Sequence, residues 1–197
     1  AGGTEALSHA PLMFSEEATA WFGGLFGARN PLAKLKQFAR FRPKFMTPSI
    51  ALLRGLTDPV VKLNMGQTAE VLAHQFGISR AEADAYAVES HKRLARAHDE
   101  GWLEELEAMI GEDGAVYDFD DGVRRDSSTE HLGKLKPAFE KPYGKVTPGN
   151  SSQITDGASW VILASEAALK QHDLTPLAKI VDSEWAALDP SVMGLGP

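Results

Sequence analysis

Apolar residues recur at helical spacing in several stretches of this chain. The clearest is 65–77, where Ala69, Leu72, Ala73 and Phe76 share one face and Gly77 supplies the Cβ-free residue that helix ends favour. Ser79-Arg80-Ala81-Glu82 has the form of a capping box, Ser79 accepting an amide hydrogen bond and Glu82 reaching back. A longer helix is therefore predicted to about Asp99, apolar at Ala83, Tyr86, Ala87, Leu94 and Ala97, and a further helix over 102–110. Upstream, Leu32, Leu35, Phe38, Ala39 and Arg42 fall near helical spacing between prolines and predict a short amphipathic basic helix.

Strand signals flank this helical stretch. Residues 1–10 predict a short strand ended by Pro11, 159–164 a buried strand, 166–171 a helix and 178–187 another strand. Between them, 111–128 is acidic and turn-rich, and 143–157 is dominated by Gly, Asn, Ser, Thr and Pro, so both read as loops. The order strand, helical insertion, polar loop, strand, helix, strand predicts an α/β frame carrying an inserted domain.

Composition narrows the picture. With 197 residues, 43% hydrophobic and 24% charged, the chain can bury one substantial core, and disorder is not the default. No apolar run reaches the ~18 residues of a membrane helix, and no secretory leader pattern opens the chain, so it reads as soluble and cytoplasmic. There is no cysteine, which excludes disulfide staples and cysteine zinc sites and removes the most reactive protein nucleophile. Between Arg29 and Lys62 lie eight basic residues and one acid, Asp58, so the net charge of −7 divides into +7 there and −14 elsewhere. That asymmetry argues against nucleic-acid binding and for one directed anionic contact, either a membrane or partner surface or a field drawing in a phosphorylated ligand; the bland reading is a solvated face.

Most other polar residues carry little chemistry by themselves. His9, His74, His98 and His172 show no metal-ligand spacing with one another, His91 reads as structural, and Glu104-Glu105-Glu107 reads as a wet helix face rather than a cation site. No metal is expected. Asn150 and Asp156 read as loop braces.

The order of motifs nevertheless resembles the thiolase family. Gly2-Gly3-Thr4-Glu5-Ala6-Leu7-Ser8-His9-Ala10-Pro11, Met65-Gly66-Gln67-Thr68-Ala69-Glu70, Lys134-Leu135-Lys136-Pro137-Ala138-Phe139, Asn150-Ser151-Ser152-Gln153-Ile154-Thr155-Asp156-Gly157-Ala158 and Ser191-Val192-Met193-Gly194-Leu195-Gly196-Pro197 are similar to successive segments of it. The basic aromatic insertion resembles the fatty-acid-oxidation, trifunctional-enzyme β-subunit type. The resemblance implies part of a layered αβαβα fold with a mainly helical loop domain. It divides the chain into a core strand (1–13), a coenzyme-binding loop domain (14–158, with the basic insertion at 14–64), a core strand and helix (159–176) and the start of a second half (177–197).

The resemblance further implies acyl transfer to coenzyme A by thiolytic cleavage of a 3-ketoacyl-CoA. Because the family's cysteines and histidine lie outside the motifs present, the segment is expected to be an interior piece, inactive alone and with no catalytic residue of its own. CoA enters as substrate and no resident cofactor is implied. By motif match, Arg124 and His131 fall at the nucleotide end of CoA, Phe139 beside the pantetheine, Pro148, Ser151, Ser152 and Ile154 along the pantetheine loop, and Met65 at the acyl pocket. His131 and Asn64 depart from the serine and histidine some relatives carry there. The partners implied are CoA or acyl-CoA, a second thiolase copy in a homodimer, a hydratase/dehydrogenase α-subunit, and a peripheral membrane contact through 29–62. Two alternatives stay open: a free-standing, non-catalytic module that binds CoA or protein, and a biosynthetic or sterol-carrier-type thiolase piece.

Overall fold

A computed structural model describes residues 1–196, and among them every strand is paired with only one other. In chain order the elements are β1 (Gly2–Ala6), β2 (Leu12–Met13), α1 (Glu16–Gly27), α2 (Pro31–Phe38), β3 (Ser49–Ile50), α3 (Ala51–Gly55), α4 (Met65–Gln75), α5 (Arg80–Asp99), β4 (Met109–Ile110), β5 (Val116–Tyr117), α6 (Thr129–Leu132), β6 (Asp156–Trp160) and α7 (Glu166–His172). The pairs β1–β6, β2–β3 and β4–β5 are all antiparallel. The chain forms two units, Ala1–Asn64 with Ile154–Ala186, and Met65–Gln153 with Ala187–Pro197. Among the described residues no helix is long and apolar enough to cross a membrane.

In the first unit the core is small and aromatic. Ser15 caps α1 by accepting from the Ala18 amide, and Glu16 and Glu17 place negative charge on the helix's positive end. This aims Ala18 and Trp21 at Phe45, with Phe22 and Leu25 packed beside them. Trp21 Nε1 donates to the Gln37 carbonyl at 2.8 Å while Gln37 Nε2 donates to the Trp21 carbonyl at 3.3 Å, a reciprocal lock between α1 and α2. The basic helix is present, opened by Asn30, whose side chain accepts from Ala33, and by Pro31 in its first turn. Its apolar stripe is not buried, however: Leu35 is 66% exposed, and Leu32 and Phe38 are similarly open. Ala33 and Gln37 make the half-buried face instead, the Gln37 side chain lying against α1 at Trp21 and Gly24.

The two expected late strands require correction. The strand lies at Asp156–Trp160 rather than 159–164, and all five residues are exposed, as are the five residues of β1 with which it pairs. Residues 178–187 form no strand; Ile180, Val181 and Trp185 stand in solvent with no neighbouring strand to complete their hydrogen bonds. The helix expected over 102–110 is also absent. Met109–Ile110 instead turns back on Val116–Tyr117, so the loop expected over 111–128 contains a strand. Asp113 Oδ1 accepts from the Ala115 amide and Gly114 sits at φ +79°, so the Gly111-Glu112-Asp113-Gly114 turn closes a hairpin where helical spacing suggested continuation.

In the second unit the two long helices form as the sequence predicts. Gly77, at φ +64°, ends α4, with the Ile78 amide donating to the Ala73 carbonyl at 2.9 Å. Both halves of the Ser79–Glu82 capping box are made, and α5 runs to Asp99. Tyr86, expected on the apolar face, is exposed. The final 3-10 turn, Pro190–Leu195, packs on α4, where Gly194 lies against Leu72.

Candidate functional site

The site is built around a polar turn held by two buried carboxylates, one from α4 and one from α5. Glu70 is 0% exposed, and its carboxylate accepts from the Lys145 amide at 2.8 and 2.9 Å and from the Val146 amide at 2.8 Å. Gly144 allows this approach, because a Cβ there would meet Glu70 Oε1 at 2.7 Å. Asp84, 3% exposed, accepts from Arg80 Nε at 2.7 Å and from Asn150 Nδ2 at 2.9 Å. Arg80 reaches on to the carbonyls of Leu132 and Leu135. Burying a carboxylate is costly unless donors replace its lost water, and here each has them.

Within the turn, Asn150 is the hub. Its Oδ1 accepts from the Thr147 amide at 2.8 Å and its Nδ2 also donates to the Lys145 carbonyl at 2.9 Å. Thr147 is fully buried, its carbonyl accepting from Ser151 Oγ at 2.7 Å. At Gly149 a Cβ would run into the side chains of Leu132 and Leu135, so glycine lets the turn sit directly on α6. Pro148, Ser151 and Ser152 remain exposed.

Gln153 Nε2 donates to the Gly122 carbonyl at 2.8 Å, joining the turn to the loop that carries Arg124. Arg124 is exposed; its backbone N–H donates to His91 Nδ1 at 3.2 Å, and no hydrogen bond or ion pair engages its guanidinium among the described residues. Arg125 instead forms a two-pronged pair with Asp99, 2.8 Å on each arm. The hydrogen bond from Arg125 and then its charge hold the Asp99 carboxyl below the usual range, and the same pair raises Arg125. His131 is exposed on α6, whose cap Ser128 accepts its amide at 3.2 Å. Phe139 is half-buried with its ring on Gly66, next to the exposed Met65 at the start of α4. Ile154 is exposed and belongs to the first unit.

A cavity of about 90 Å³ lies between α5 and the 119–125 loop, lined by Leu94, His98, Leu103, Phe119, Val123 and Arg125 among others. Arg124 and the polar turn do not line it. Asp156 does not brace the turn; it opens β6 and accepts from the Ser8 amide at 2.9 Å and from the Ser8 hydroxyl, hydrogen bonds that lower its pKa. Glu70, His74 and Glu140 bring three ligand-type atoms within 4.8 Å of one another. The Glu70 oxygens are already occupied by backbone amides, and His74 Nε2 meets Glu140 Oε2 at 2.8 Å, so the group reads as a brace.

The bracing residues Glu70, Asp84, Gln153 and His91 were not among the expected site positions. The one sequence signal for Glu70 and Asp84 is their position on the otherwise apolar, inward faces of α4 and α5.

With this geometry in view, comparison with known proteins is direct. The family described as thiolase, N-terminal domain, matches residues 1–167. Mitochondrial 3-ketoacyl-CoA thiolase of Rattus norvegicus is 37% identical over 203 aligned positions, covering 100% of this chain and 45% of the relative. Beta-ketothiolase BktB of Cupriavidus necator is 35% identical, covering 100% of this chain and 46% of that protein. A crystal structure of human mitochondrial 3-ketoacyl-CoA thiolase in complex with CoA superposes with a TM-score of 0.79 at 38% identity, over 100% of this chain and 45% of that one. The fold is that of a thiolase-like αβ protein, and the chain belongs to the thiolase family. It spans about half the length of the curated relatives it matches. The expectation of a cytoplasmic location is corrected here, since relatives such as those of Rattus norvegicus, Mus musculus and Homo sapiens are mitochondrial thiolases.

Proposed function

We propose that this chain is the coenzyme-holding part of an acetyl-CoA C-acyltransferase, which transfers an acyl group to CoA by thiolytic cleavage of a 3-ketoacyl-CoA in fatty-acid β-oxidation. The observation that carries the reading is the polar turn at 147–152, exposed at Pro148, Ser151 and Ser152, fastened from below by Glu70 and Asp84 and joined through Gln153 to the loop of an uncommitted Arg124. A coenzyme arm needs backbone that small residues leave accessible, and its phosphates need a cation that no carboxylate has already claimed. Pro148, Ser151, Ser152 and Ile154 are assigned to the pantetheine, with Phe139 beside it, Arg124 and His131 to the nucleotide end, and Met65 to the acyl chain. Residues 14–158 make up the loop domain in this assignment.

CoA is substrate here, not a resident cofactor. Thiolysis requires an activated thiolate nucleophile, and these 197 residues contain no cysteine, so the chain by itself is assigned binding and no turnover. The relatives named as mitochondrial, and the one solved with CoA, support a mitochondrial β-oxidation setting. A second thiolase copy, a hydratase/dehydrogenase subunit and an anionic membrane surface meeting 29–62 are the proposed partners.

Calorimetric titration of CoA into the chain and into Arg124→Ala tests the reading. The chain is expected to bind, and the variant to bind at least about ten-fold more weakly, the worth of one charge-assisted hydrogen bond. Equal affinities would remove Arg124 from the site, and no binding by the chain would remove the site.

A further inference from the structure

We propose that His91 is a positioning residue for Arg124, and that it acts only as a neutral imidazole. The proposal rests on the assignment of Arg124 to the coenzyme. The Arg124 backbone N–H lies 3.2 Å from His91 Nδ1. A backbone amide can only donate, so Nδ1 must present its lone pair and the ring's single proton must sit on Nε2. An imidazolium carries hydrogens on both nitrogens. Protonation therefore replaces an attractive contact by two hydrogens facing each other.

The surroundings make His91 the contact that holds this one residue. Its helix is a firm base, since α5 is 20 residues long with a complete capping box. The Arg124 loop is fastened on one side at Gly122 by Gln153 and on the other at Arg125 by Asp99. The Arg124 carbonyl accepts from Ser127 within the loop, which leaves its N–H as the link to the helix. Along α5 the neighbours of His91 one turn away are Ala87, Val88, Leu94 and Ala95, none of them titratable. The loop contributes Asp118, Asp120, Asp121, Arg124, Arg125 and Asp126, of which Arg125 is paired with Asp99. The outcome is an arginine whose backbone is set by a group that loses its acceptor on acidification, so coenzyme affinity through Arg124 should fall with pH.

Three variants of the full chain separate this role from a merely structural one. His91→Asn keeps an acceptor, Oδ1, at about the position of Nδ1 but has no proton to gain; His91→Phe keeps the ring and loses the acceptor; Arg124→Ala reports on the site itself. CoA affinity is measured by calorimetry from about pH 8 to about pH 5, and exchange of the Arg124 amide by NMR on 15N-labelled protein. At the alkaline end His91→Asn should bind like the parent chain, and His91→Phe about five-fold more weakly, the worth of one ordinary hydrogen bond. As pH falls, the parent should weaken toward the His91→Phe value while His91→Asn does not; the coenzyme's own phosphate titrates equally in both and cancels in the comparison.

Arg124 amide exchange should follow the same order, slow in the parent and in His91→Asn and fast in His91→Phe. Equal exchange in His91→Phe and the parent, or a pH profile unchanged in His91→Asn, overturns the proposal. Failure of the coenzyme reading looks different: CoA binding is then absent or unmoved by Arg124→Ala, while the amide exchange still decides whether His91 holds the loop.

Discussion

Asn150 donates a side-chain hydrogen bond to Asp84 at 2.9 Å, fastening a surface turn to a helix 66 positions earlier in the chain. That bond and the Arg80–Asp84 pair make one unit, because both donors converge on a single buried carboxylate. Removing the carboxylate with Asp84→Ala takes one acceptor from a partly buried guanidinium and one from the Asn150 side-chain amide. A loss of ~2–4 kcal/mol in unfolding free energy is expected, read from urea denaturation, placed below the full cost for a completely buried pair because Arg80 still reaches two carbonyls. A loss under ~0.5 kcal/mol would mean that the network contributes nothing beyond its packing.

Glu70 is expected to behave differently, as a local brace. Glu70→Gln can keep the oxygen that accepts from both the Lys145 and Val146 amides, but it puts an NH2 donor where Oε2 meets the Lys145 N–H. The cost should be ~1–3 kcal/mol, with hydrogen exchange speeding up at Lys145 and Val146 more than at the α5 amides. Uniform acceleration across both helices would show that Glu70 holds the whole unit rather than the turn.

Much of this arrangement is legible in the sequence, and where it is not the reason is physical. Both long helices announce themselves by local chemistry: Gly77 ends α4 at positive φ, and Ser79 with Glu82 opens α5, so no distant partner is needed to place them. The order of motifs likewise points to the thiolase family, which the family match bears out. Glu70 and Asp84 escape because a carboxylate on a helix ordinarily faces water, and only the amides and the Asn150 side chain, brought from some 70 positions away, reverse that preference. Residues 178–187 carry strand-like composition without forming a strand, since a strand is stabilised by its neighbour rather than by its own residues. The 102–110 stretch reads as a helix until the turn at Gly111–Gly114 is known to bring Val116 back against Ile110.

The Asp99–Arg125 pair should leave a mark on acid stability. The folded-state pKa of Asp99 is lowered, chiefly by the hydrogen bond from Arg125, so its contribution is fully present above the ordinary aspartate value of ~3.9 and is lost as pH falls through the lower folded value. Arg125→Ala should remove that step and flatten the acid limb of a Tm-against-pH curve. Because both groups are exposed, the step is small and should shrink further at high salt. An acid limb identical in the two proteins would assign it to the other lowered carboxyls, such as Asp156 beside Ser8.

The first unit carries the clearest liability. Trp160, Ile162, Val181 and Trp185 are all strongly exposed, Trp185 at 96%, and β6 is paired along one edge only. Apolar side chains next to an open strand edge favour association between copies, since contact removes water from the side chains and completes the unpaired backbone groups. Light scattering of the chain should therefore show a mean mass that rises with concentration. Ile162→Lys with Val181→Lys places two like charges in that surface and should return the mass to that of a monomer. The first unit's aromatic core at Ala18, Trp21 and Phe45 lies elsewhere in the sequence, so the near-ultraviolet circular dichroism of Trp21 should stay unchanged. If association persists in the double variant, the exposed face of α2, with Leu32, Leu35 and Phe38, is the next surface to charge.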